Sequence, residues 1–150
     1  MFISVDGNLF DAAWTAALAA LRNTTLPRAW WNPDLQTVVC ADSERPRRLA
    51  LRGDPVSASF AVFEPGKMKG SKNEKGTWVL ADPDGFEEGL CRERVMVVVD
   101  RSDNGLGVRR IEKSGGTVLG KEEMKNIVKL AEMRWKEVRD AIDLVEKEAI

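Results

Sequence analysis

The segment LFDAAWTAALAALR, residues 9–22, carries only three polar side chains, Asp11, Thr15 and Arg22. As a helix it is apolar nearly all round, so it has to be covered on more than one side. Its alanines let neighbouring backbones come close, and it reads as a central helix. The approach to it is FISVDGN. Residues 2–5 suit a short strand, Asp6-Gly7 suits a tight turn, and Asn8 stands where an N-cap belongs, with Asp11 placed to favour the first turn. Strand, acidic turn and helix is how many phosphate-handling sites begin.

A second helix is expected from near Gly120, with Glu122 and Glu123 in its first turn. Met124, Ile127, Val128, Ala131, Trp135, Val138, Ile142 and Val145 recur at steps of three and four, one apolar stripe on a charged helix. Arg139 and Asp143, or Asp143 and Lys147, are spaced for weak surface pairing. Between the helices, Pro27 ends the first helical region, and LPRAWWNPD predicts a rigid aromatic connector. Strands are expected at 35–41, 48–52 and 55–64; in the last, Val56, Ala58, Phe60 and Val62 share a face. PGKMKGSKNEKG reads as a polar loop and TWVLAD as extended chain. VVVDRSDNGLGV, with strands at 95–100 and 106–113, is a hairpin signature. Helix, antiparallel strands, helix gives an α+β fold, read as a single domain over 1–150.

Composition removes several function classes. The chain has no histidine, which excludes imidazole bases, His-dependent triads and the commonest zinc sites. Its 23 basic and 24 acidic residues nearly cancel, so any nucleic-acid contact has to come from a local patch. Cys40 and Cys91 show no CxxC spacing and suit a reduced, intracellular chain. No signal peptide or membrane-spanning window is visible.

VDGNLFDAAWTAALAAL, PVSASFAVFE, VLADPDGFEEGLCRERVMVVVD and EKSGG…LGKEEM, in this order and spacing, resemble the ring subunits of the RNA exosome, which have the ribonuclease PH fold (ribosomal protein S5 domain 2-like). The resemblance runs from Ser4 to about Leu144. Full-length members of that family begin with another sheet-forming half before the Asp-Gly turn, so the resemblance implies the C-terminal half of the fold, with part of the central helix uncovered.

What the resemblance implies about chemistry is a loss. Active phosphorolytic relatives place Gly-Thr-Arg after the Asp-Gly turn, and the arginine helps hold phosphate; here Asn8, Leu9 and Phe10 stand there, and Phe10 cannot bind an anion. Those relatives also carry an acid-base aspartate just before the strand matching VMVVV. Here Arg94 is nearest that position, and a guanidinium does not exchange protons at pH 7. The expectation is therefore no catalytic residues, no cofactor and no metal. Asp82, Asp84, Glu87 and Glu88 form the one acidic cluster that invites a metal reading, but they are read as a solvated structural loop. Arg45, Arg47, Arg48, Lys67, Lys69, Lys72 and Lys75 are candidate RNA-phosphate contacts, set against a plainer role as solvated loop charges. Trp30 and Trp31 could stack bases, but are read as packing the connector.

The resemblance implies an inert subunit of a hetero-oligomeric ring of same-fold subunits. RNA-binding cap proteins and threaded RNA would be its partners, in nucleus, nucleolus and cytoplasm. A phosphate-dependent 3′-to-5′ exoribonuclease sharing a composite site with a partner stays open, as does a truncated product that does not assemble.

Overall fold

A computed structural model describes residues 4–41, 45–64, 77–102 and 105–148. The elements run α1 (Leu9–Asn23), β1 (Thr25–Leu26), β2 (Ala29–Asn32), β3 (Thr37–Cys40), β4 (Arg47–Arg48) and β5 (Val56–Phe63). They continue with β6 (Trp78–Ala81), α2 (Gly85–Leu90), β7 (Glu93–Ser102), β8 (Gly105–Gly115) and α3 (Lys121–Glu148). The main sheet is antiparallel throughout, in the order β6-β5-β7-β8.

Alternation along β5 decides which surface α3 covers. Val56, Ala58 and Phe60 lie opposite Val99, Val97 and Val95 of β7, so these six share one face of the sheet. With Val62 they form one buried cluster with Ile127, Ala131, Trp135 and Val138 of α3 and Leu18 of α1. The apolar stripe expected on α3 is thus its packing face. It runs out at the C-terminal end, where Val145 is exposed.

Helix α1 is attached differently. Only Asp11 and Leu18 are buried on it, while Leu9, Phe10 and Leu21 are exposed. Cover on more than one side was expected, and among the described residues α1 has a single supporting element of substance, the edge of β5. Its polar groups make that attachment. The Trp14 indole N–H donates to the Pro55 carbonyl at 2.7 Å. Arg22 reaches Asp54 through Nε and Nη2, at 2.7 and 3.0 Å. The same carboxylate accepts from Arg139 of α3 at 2.5 Å, and the Asp54 carbonyl accepts from the Trp135 indole at 2.8 Å. Arg139 also pairs with Asp143 at 3.0 Å, the spacing expected from sequence.

Other sequence readings need correction. Ser4 and Val5 are not in a strand, and residues 2–3 lie outside the described residues. LPRAWWNPD is not a connector: Ala29–Asn32 is a strand paired with Thr37–Cys40. The Asn32 side chain accepts from the N–H groups of Asp34 and Leu35, turning the chain between them. Of 48–52, only Arg48 is strand, in β4, paired with β1. No helix among the described residues is long and apolar enough to cross a membrane.

Two substitutions test this packing by urea unfolding of the full chain. Ile127→Ala, at a fully buried position, is expected to cost about 3 kcal/mol. Asp54→Ala leaves two arginines without their shared partner and is expected to cost a similar amount, about 3 kcal/mol.

Candidate functional site

The acidic turn is built against α2. Gly7 has φ +82°, and a Cβ there would lie 2.4 Å from the Asp84 carbonyl carbon and 2.6 Å from the Gly85 nitrogen. Only glycine tolerates both that conformation and that approach. Asn8 follows with φ 41°, and its side chain does not cap α1 as expected. Instead its Nδ2 donates to Asp82 at 2.5 Å, and its backbone N–H donates to Glu88 Oε1 at 2.8 Å.

This accounts for the acidic cluster. The segment is a short helix, not a loop: Asp84 accepts from the Glu87 N–H at 2.8 Å, and Glu87 Oε2 accepts from the Asp84 N–H at 2.9 Å. That reciprocal pair is a capping box. Asp82, Asp84, Glu87 and Glu88 therefore all have partners within the fold. Among the described residues no cluster of three or more His, Cys, Asp or Glu side chains is arranged to hold a metal ion.

Phe10 and Arg94, far apart in sequence, line one cleft of about 430 Å³, with Leu9, Pro83, Glu88 and Glu112 among its other walls. Phe10 leans on Trp14, ring centroids 5.5 Å apart. The Arg94 guanidinium is largely exposed and lies 3.8 Å from Glu88. Glu112 is paired with Arg110 at 3.0 Å. Both carboxylates of the cleft thus face an arginine. Phe10 and Arg94, the two positions that the resemblance singles out, thus line the same cleft.

Two carboxylates near this region are buried. Asp11 stands in the first turn of α1, as expected, and its side chain reaches across to β5. It accepts from Ser57 Oγ and the Ser59 N–H at 2.6 Å each, and from Ser59 Oγ at 3.1 Å. Pairing with β6 starts only at Phe60, so Asp11 satisfies an edge donor that no strand reaches. Two serines alternating in an apolar strand were the available signal. Glu93 is fully buried, with Oε2 accepting from Lys113 Nζ at 2.9 Å and the Thr117 N–H at 3.0 Å.

Among the described residues, the basic candidates do not line the cleft. Arg45, Arg47 and Arg48 are exposed, and none of the three lines the Phe10–Arg94 cleft. Arg48 borders a different groove, of about 740 Å³, between α1 and α3. Lys67, Lys69, Lys72 and Lys75 lie outside the described residues. Trp30 and Trp31, expected to pack, are 47% and 60% exposed, and the two-stranded ribbon that carries them pairs with no further strand among the described residues.

Comparison with known proteins identifies this architecture. The chain has the ribonuclease PH-like fold: an exosome from Archaeoglobus fulgidus, solved with RNA bound to the active site, matches it with a TM-score of 0.62 and 24% identity. That match covers 93% of this chain and 45% of the other. In sequence it is 32% identical over 133 residues to exosome complex component rrp43 of Schizosaccharomyces pombe, covering 89% of this chain and 43% of that protein. It is 27% identical over 137 residues to exosome complex component Rrp42 of Pyrococcus furiosus, covering 91% of this chain and 43% of the relative. No family model matches. The chain thus has a ribonuclease PH-like fold and is similar in sequence to exosome components, and it spans less than half the length of these curated relatives.

Asp11→Ala leaves the Ser59 N–H without an acceptor and is expected to cost about 2 kcal/mol in urea unfolding. Asp11→Asn, which keeps one acceptor oxygen, should cost less.

Proposed function

We propose that this chain corresponds to the C-terminal half of a ribonuclease PH fold and acts as a non-catalytic structural subunit of an RNA exosome ring. In that role it packs beside same-fold subunits in a hetero-oligomeric ring, contacts RNA-binding cap subunits, and supports 3′-to-5′ processing and degradation of RNA, including ribosomal RNA. Its eukaryotic relatives are exosome components; nucleus, nucleolus and cytoplasm are the compartments proposed.

The observation that carries the inert reading is that Phe10 and Arg94 occupy the same cleft. Phosphorolysis needs a cation to hold phosphate at the helix entry and a group that hands a proton to the leaving oxygen. Phe10 supplies neither. Arg94 carries a charge but keeps its proton throughout the physiological range. The chain has no histidine to substitute, and Glu88, the carboxylate beside Arg94, is taken by the Asn8 backbone.

The test is release of nucleoside diphosphates from single-stranded RNA in the presence of inorganic phosphate. The purified chain is expected to release none above the no-protein control. Phosphate-dependent release by the chain alone would overturn the inert assignment.

A further inference from the structure

The contacts that seat α1 come from one face of the helix. Asp11, Trp14, Leu18 and Arg22 follow at steps of three, four and four, so they line one side. Their partners run the opposite way along the chain. Asp11 meets Ser59 and Ser57, Trp14 meets the Pro55 carbonyl, and Arg22 meets Asp54. Helix α1 thus lies antiparallel to residues 54–59, the part of the β5 edge that β6 does not reach. Groups that a neighbouring strand would engage, the Ser59 N–H and the Pro55 carbonyl, are engaged by helix side chains instead.

The two sides of this joint are held by different forces. Asp54 belongs to the core without any help from α1. Arg139 donates to its carboxylate, the Trp135 indole donates to its carbonyl at 2.8 Å, and its N–H donates to Asp100 at 2.9 Å. Ser57 and Ser59 are fixed by the pairing of β5 with β7. The core closes where Val56, Phe60, Val95 and Val97 meet Ile127, Ala131 and Trp135. To that cluster α1 contributes one buried apolar side chain, Leu18; the rest of its attachment is hydrogen bonds and an ion pair. A buried apolar side chain stabilises more than a hydrogen bond exchanged with water, so α1 is held more weakly than α3.

We infer that α1 is a latch that opens as a unit, leaving the 54–59 edge while the β5-β7-β8 sheet and α3 stay folded. The bonds of Asn8 to Asp82 and Glu88 are polar as well and open with it. The consequence falls on the cleft, whose walls come from both sides of the joint. Leu9 and Phe10 travel with α1, whereas Arg94, Met96 and Glu112 stay with the sheet. The cleft is therefore assembled only in the latched state. This follows from contacts between α1 and the core and does not depend on the exosome reading.

The experiment is hydrogen–deuterium exchange of the full chain, read by mass spectrometry of its peptic peptides. In the parent chain, amides over 9–23 are expected to exchange about tenfold or more faster than those of β7 and of residues 127–138 in α3. Asp11→Asn with Arg22→Gln should speed exchange over 9–23 by about a further tenfold and leave β7 and 127–138 within about twofold of the parent. Ile127→Val should do the reverse, speeding β7 and 127–138 and leaving 9–23 unchanged. Exchange over 9–23 as slow as in β7 would overturn the inference, because α1 would then open only with the whole fold. Equal acceleration of every element in the double variant would overturn it too. So would parent exchange over 9–23 at the rate of an unfolded peptide, since nothing would then be latched.

Discussion

One carboxylate ties the layers of this structure together. Asp54, just before β5, takes Arg22 from the end of α1 and Arg139 from the middle of α3, while its carbonyl takes the Trp135 indole. Its own N–H is turned to Asp100 on β7 at 2.9 Å. Helix α1 buries few apolar side chains, so its position depends on polar anchors at intervals: Asp11, Trp14 and Arg22, each meeting the β5 edge or its approach. Paired, half-buried charges of this kind fix geometry more than they add stability. Their effect here is directional, because they set where the N-terminal end of α1 meets α2.

That meeting point is the cleft, and its polar groups are spent on architecture. Gly7 is there because the backbone of Asp84 and Gly85 comes too close for any side chain. Asp82 and Glu88 hold Asn8, and Asp84 with Glu87 caps α2. An acidic turn leading into a helix looks like chemistry in a sequence. In the folded chain the same carboxylates secure a turn, and the position facing Glu88 across the cleft is an arginine. The carboxylates around the turn are thus engaged in holding the turn and the short helix together.

The period-two run in β5, the stripe on α3 and the hairpin of β7 and β8 could all be read in advance, since each is a local pattern expressing burial directly. What escaped depends on contacts distant in sequence. Asp11 looked like an N-terminal helix charge because Ser57 and Ser59 lie 46 and 48 positions away. Asp54 shows no pattern at all, as its partners come from both helices. Helix α2 was hidden by Pro83 and Gly85, which read as turn residues, although an Asp three places before a Glu was a capping signal in plain view. The tryptophans differ for another reason: large rings between prolines suggest burial, yet among the described residues their ribbon leaves both rings exposed. At the candidate site, Phe10 and Arg94 were legible as departures from a family pattern, and their sharing of one cleft was not.

The central claim is that this chain, lacking chemistry of its own, works inside an exosome ring. Affinity purification of the tagged chain from its own cells, with quantitative mass spectrometry of what accompanies it, tests that directly. The account predicts recovery of ribonuclease PH-like exosome subunits in amounts similar to the tagged chain. Recovery of the chain without them would contradict it.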